Sequence, residues 1–242
     1  MTKFQNVMSG KLPNGKLKES ECQILAREEV FRQSEIEDAL LQINPSTIRI
    51  RSKKEYRNHI ITIAKQAGFD LFMNTKFGYE DFTVKTRVKF YRKYGNPPVT
   101  KYLVIPNGLV GRLFSIYKIW RELSEFLLRT LLCHERQHLL QDPTKFENLS
   151  AMEEKANKLM MEKMGRPGLV VCAWYFCLFG KLGILNHILS RKKKLEEKEA
   201  TKKIRNFLEK NYLNLISSNE YDEIIDDVLW LNAKYLKSKK SV

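Results

Sequence analysis

Apolar positions recur at helical spacing along most of this chain, and one central stretch departs from that period. Met1 to Lys18 is polar and reads as a loose arm. From Glu19 to Ile43 charged and apolar residues alternate at helical spacing, with Ser34 placed to cap Glu35 to Leu41 before Asn44-Pro45-Ser46 ends the run. Ile48 and Ile50, separated by a basic position, predict a short strand, and Lys54 to Ala67 predicts a helix stopped by Gly68. From Phe72 to Ile105 the period is closer to two. Val84, Thr86, Val88 and Phe90 alternate with Lys85, Arg87 and Lys89, Tyr94 to Pro98 turns the chain, and Val99 to Ile105 supplies a second strand.

The second half returns to helical spacing. Pro106-Asn107-Gly108 turns into a helix over Leu109 to Tyr117. Ile119 to Leu140 predicts a long helix with Leu123, Phe126, Leu127, Thr130 and Leu131 on its buried side. Pro143 closes it, Ser150 opens the next, and Gly165-Arg166-Pro167 stops that one. Gly168 to Leu189 is the most apolar stretch and runs directly into Ser-Arg-Lys-Lys-Lys. It has the length and flanks of a membrane helix, but Lys181, Asn186, His187 and three glycines suit buried core helices better. Lys192 to Asn211 carries a narrow stripe of Ile204, Phe207 and Leu208. Glu220 to Tyr235 carries a stronger one, with acidic first turns and Lys234 near its end, and the last lysines read as a solvated tail.

At 242 residues the chain can bury a sizeable core, and one domain with appendages is expected rather than two equal ones. The net charge of +15 favours an acidic partner or surface without choosing between nucleic acid, anionic lipid and an acidic protein substrate. Aromatic and basic residues interleave in Lys89-Phe-Tyr-Arg-Lys-Tyr94, a pattern that can stack on bases and that a half-buried strand also shows. Four cysteines, mostly among apolar neighbours, read as buried thiols in a reducing compartment. No basic segment followed by an apolar run opens the chain, so a cytoplasmic location is expected.

The chemistry is concentrated at His134-Glu135-Arg136-Gln137-His138, late in the long helix. Two histidines four residues apart stand one turn apart on one face and can direct ring nitrogens at one Zn2+, while Glu135 is placed to hold and deprotonate a water there. Zinc then needs a third protein ligand and an open position. Glu153 is the candidate, because Ala156, Met160 and Met164 share its side of the next helix and Glu154 is turned about 100° away. A second role competes for Glu153, since Ser150-x-x-Glu153 is also a capping box. Glu147 and Glu154 remain alternative ligands. His187 and Tyr175 are candidates for a late ligand or an oxyanion donor, Cys133 faces away from His134, and His59 reads as a surface residue.

HERQH followed by EEKANKLM resembles the zincin metallopeptidases whose third ligand is a Glu on the following helix, and most of all the ImmA/IrrE-like group. The likeness covers about 30 residues. It implies His134, His138 and Glu153 as zinc ligands, Glu135 as general base, Ala156-Asn157 as the end of the second motif, and a protein as substrate. Leu139 and Lys158-Leu-Met-Met depart from that group's usual residues.

The expectation is therefore an α+β protein: a mostly helical zincin-like metallopeptidase core with a small mixed sheet and C-terminal helices. Residues 1–45 would form a helical arm, 46–190 the core and 191–242 a basic helical extension. The sheet would lie beside the metal helix and bind extended substrate along its edge. The expected function is zinc-dependent hydrolysis of a peptide bond in a protein substrate by Glu135. The alternative is a basic nucleic-acid-binding or scaffold protein with a structural or inactive motif, and a membrane-seated peptidase through 168–189 is a third reading.

Overall fold

A computed structural model describes residues 35–42, 49–67, 76–78, 102–104, 107–141, 148–179, 193–217 and 219–241. Seven helices run through them: α1 (35–41), α2 (Lys53–Gln66), α3 (Asn107–Ile119), α4 (Arg121–Leu140), α5 (Leu149–Phe179), α6 (Lys193–Tyr212) and α7 (Glu220–Lys240). Their starts follow local chemistry. Ser52 caps α2 by accepting from the Glu55 N–H, so residues 49 and 50, where a strand was expected, are instead the irregular approach to that helix. Trp120 is the single extended residue that separates α3 from α4. The terminal lysines continue α7 to Lys240 rather than forming a tail, with acids in its first turn and lysines in its last.

The expected α+β class and its small mixed sheet are overturned. Among the described residues the architecture is helical, and strand is confined to one parallel pair of three residues each, β1 (Lys76–Gly78) and β2 (Tyr102–Val104). A turn at Tyr94 to Pro98 would have joined antiparallel neighbours, whereas parallel partners require a long connection, which 79–101 supplies in sequence. The alternating segment 84–90 lies outside the described residues. A three-residue parallel pair is too short to be the substrate-binding sheet that was expected.

The core sits where α4 and α5 pack together, with α3 and α2 on one side and α6 and α7 on the other. Leu123, Leu127 and Leu128 of α4, Leu169 to Ala173 of α5, Ile204 and Leu208 of α6, and Ile224, Val228 and Leu231 of α7 are all nearly inaccessible. Fully burying a Leu or Ile stabilises by about 1.5–3 kcal/mol, so this shared interior is what fixes α4 in place. Trp174 anchors α7, donating from Nε1 to Asn232 Oδ1 at 3.3 Å and meeting Tyr235 edge-on. The apolar stretch that begins at Gly168 is thus core through Tyr175 and again at Cys177, with Phe176 exposed between them, and no helix among the described residues is long and apolar enough to cross a membrane.

α5 is two helices joined at a kink. Gly165 has φ 62° and ψ −167°, and Arg166 and Pro167 restart the helix beyond it. A positive φ suits glycine, and a proline in a first helical turn gives up an N–H that would lack an intrahelical partner anyway. The break separates the half bearing Glu153, with Ala156 and Met160 buried, from the more continuously buried half that starts at Gly168.

His59 is not the surface residue expected. Its side chain is 11% exposed, and its Nε2 lies 2.5 Å from Oε1 of the buried Glu125. The face of α2 that buries Tyr56, Ile60 and Ile63 carries His59 with it, against α4.

Candidate metal centre

α4 brings two imidazoles to its last turns because a buried apolar side precedes them and continues into them. His134 Nε2 and His138 Nε2 lie 3.0 Å apart, with their rings nearly perpendicular. Glu153 of α5 closes the group, its Oε2 standing 3.2 Å from His134 Nε2 and 3.4 Å from His138 Nε2. One donor atom from each of the three residues lies within 4.8 Å of the others. Both histidines are partly buried and the Glu153 side chain is half exposed, so the cluster opens to solvent on the carboxylate side.

Glu153 is free to point inward because it does not cap its own helix. α5 starts one residue earlier than Ser150, and Asn148 is the cap, its Oδ1 accepting from the Ala151 N–H at 2.9 Å. Glu154 turns the other way and accepts from Asn214 Nδ2 at 2.9 Å. Glu147 and His187 lie outside the described residues. Ala156, fully buried, lets α5 approach its neighbours closely. Asn157 sends its Nδ2 to the Asn211 carbonyl at 3.1 Å, tying the ligand half of α5 to the end of α6.

The electrostatics follow from this crowding. Burial alone would raise the Glu153 pKa, but hydrogen bonds and charge from His134 and His138 outweigh it and hold the carboxylate far below its usual range. Burial alone would lower the His138 pKa, yet Glu153, the charge of Glu135 and the Gln141 side chain raise it above its ordinary value of 6.5. Glu135 is thus near enough to His138 to act on it while taking no part in the convergence of the other three.

Tyr175, a candidate from sequence, and Cys133, which was not expected to be a ligand, are not among the three clustered donors. Tyr175 is buried and bonded to Arg112, and its hydroxyl pKa rises through burial. Cys133 is partly buried, and burial raises its thiol pKa against the lowering pull of Lys163 and Arg136. It lines a cavity of about 530 Å3 together with Phe126, Arg129 and Lys163, and none of the three clustered side chains is in that lining.

Reasoning from sequence missed Gln141. It is the C-cap of α4, with extended backbone at φ −75° and ψ 141°, and it is 9% exposed. Its Oε1 lies 3.2 Å from His138 Nδ1, and its Nε2 donates to the Met152 carbonyl at 3.0 Å. The available signal was a polar residue one turn beyond the second histidine.

Two imidazole nitrogens and a carboxylate oxygen form a donor set that can coordinate a divalent metal ion and leaves a position open. Comparison of the chain with protein families, with curated proteins and with solved structures finds no match.

Proposed function

We propose that this protein is a zinc-dependent metallopeptidase that cuts a peptide bond in a protein substrate. The observation that carries the reading is the convergence of His134 Nε2, His138 Nε2 and Glu153 Oε2 within 4.8 Å on two packed helices. The resemblance of HERQH and EEKANKLM to zincin motifs supports it. When bound, zinc supplies Lewis acidity that polarises the scissile carbonyl and acidifies water. Glu135, next to the first ligand on α4, takes the proton from the attacking water and passes it to the leaving amine, so that the amine departs uncharged. His134, His138 and Glu153 would hold the ion, and the carboxylate of Glu153 would partly offset its charge. The large positive charge of the chain would draw an acidic substrate toward it.

The test is Glu135→Gln in zinc-reconstituted full-length protein, assayed on a disordered, acidic, dye-labelled protein such as casein. Wild type should hold about one zinc per chain and cut. The variant should hold the same zinc and lose cleavage by about 10²–10⁴-fold. Undiminished cleavage by Glu135→Gln, or a metal content near zero in the reconstituted wild type, would overturn the proposal.

A further inference from the structure

Between the two helices that carry the clustered donors lies one side chain that touches both, and its hydrogen bonds can each be satisfied in only one way. The Met152 carbonyl can only accept, so the amide nitrogen of Gln141 must face it, as the 3.0 Å contact shows. The amide oxygen of Gln141 is then left to face His138 Nδ1 at 3.2 Å, and an oxygen of that kind can only accept. Once its Nε2 is given to a metal ion, His138 carries its one proton on Nδ1, where the Gln141 oxygen stands to accept it. A neutral imidazole protonated there presents a bare lone pair on Nε2, and Nε2 is the atom turned toward His134 and Glu153.

We propose that Gln141 is the positioning residue of this centre: it sets the ligating nitrogen of His138 and, through Met152, holds the first turn of α5 in the register that delivers Glu153. Met152 immediately precedes Glu153, so the tie acts within one residue of the third donor. Gln141 is itself held, being buried at the C-cap with its backbone N–H on the Gln137 carbonyl at 3.1 Å. Leaving helical geometry at this residue lets the side chain cross to α5 instead of pointing along α4. An amide is the group this place needs. A carboxylate accepts from His138 but cannot donate to Met152, a lysine does the reverse, and leucine does neither. Outer-shell partners of metal-binding histidines commonly change metal affinity by about 10–100-fold when removed.

This inference rests on the proposed metal centre for its purpose but not for its first measurement. Nitrogen-15 NMR of the histidine rings in metal-free full-length Glu153→Ala, where no carboxylate competes for an Nε2 proton, should show the proton of neutral His138 on Nδ1. A proton on Nε2 there overturns the inference. Next, Gln141→Leu and Gln141→Glu are compared with the parent residue, by NMR in the Glu153→Ala background and by zinc titration against a chromophoric chelator in the wild-type background, with helicity checked by circular dichroism. Gln141→Leu should lose the Nδ1–H preference and about 10–100-fold in zinc affinity. Gln141→Glu should keep the tautomer and fall between the two in affinity, because only the tie to Met152 is lost. If Gln141→Leu does not fold, Gln141→Glu decides. An affinity within about twofold of wild type in the folded variant used overturns the register role. An Nδ1–H tautomer in Glu153→Ala beside a wild type that binds no zinc refutes the proposed function and leaves the role of Gln141 toward His138 standing.

Discussion

Arg166 holds Asp227 with two of its nitrogens, Nε at 3.1 Å and Nη2 at 2.8 Å from Oδ2, and reaches Glu223 with a third at 3.1 Å. The pair joins the restart of α5 to the middle of α7, and Asp227 is almost wholly buried. Asp227→Ala leaves a half-buried guanidinium with Glu223 as its remaining acidic contact at this junction. The expected cost is on the order of 3 kcal/mol, measured by urea denaturation. A change below about 0.5 kcal/mol would show that the pair is dispensable.

Gly165 and Gly168 are expected to resist substitution for different reasons. Gly165→Ala places a side chain at φ 62° and ψ −167°, a region essentially confined to glycine, and should cost about 1–3 kcal/mol through backbone strain. Gly168→Ala puts a Cβ 2.5 Å from Met164 Cβ, so one of the two must move. Overpacking of this kind costs about 1–3 kcal/mol. Thermal unfolding of both variants checks the pair, and a Gly168→Ala protein as stable as wild type would mean that the two halves of α5 slide freely.

Zinc binding should discriminate between adjacent acids. His134→Ala or His138→Ala is expected to abolish stoichiometric zinc and Glu153→Ala to weaken it strongly. Glu154→Ala should change it little, because that carboxylate is engaged by Asn214. His59→Ala provides a control of another kind. It strands the buried Glu125 and should lower stability by roughly 2–3 kcal/mol while leaving the zinc content unchanged. Equal zinc retention in Glu153→Ala and Glu154→Ala would remove Glu153 as the third ligand.

The two shifted groups of the cluster have opposite pH signatures. In metal-free protein the depressed Glu153 stabilises above the carboxylate's unfolded pKa, and that contribution is lost as pH falls through its lowered folded value. The raised His138 contributes fully below 6.5 and loses its contribution as pH rises through its folded value. Zinc inverts the second effect, since a ligand imidazole must be unprotonated. The gain in melting temperature on adding zinc should therefore be small near about pH 6 and larger near about pH 8. A gain that is flat across this window would show that His138 does not exchange a proton for the metal.

The helices were legible in sequence because each long one carries its own record of burial. Leu123, Phe126, Leu127 and Thr130 mark the inner side of α4, and Tyr221, Ile224, Ile225 and Val228 mark that of α7, as their low exposure confirms. Gly165-Arg166-Pro167 marked the break in α5 through backbone chemistry alone. The class was misread from alternation over 84–90, which lies outside the described residues, whereas the described strand pair, Lys76–Gly78 with Tyr102–Val104, is only three residues long. At the centre, the two histidines could be placed by helical phase. The cap at Asn148 rather than Ser150, and the bridge through Gln141, depend on how two helices meet, and neither leaves a periodic trace. His59 was missed for the same reason, because its partner Glu125 is 66 residues away.

The converging donors all lie between positions 134 and 153, whereas the ties that seat α7 on α5 span 61 residues at Arg166–Asp227 and 58 at Trp174–Asn232. Short chain separations close at lower entropic cost than long ones, so α4 and the first half of α5 can gather before the C-terminal helices dock. A cation that grips a pair formed early lowers the folding barrier itself, not only the energy of the finished protein. Refolding in zinc should then be faster, with the acceleration lost in His138→Ala, and the ion would serve this chain first as a template for assembly.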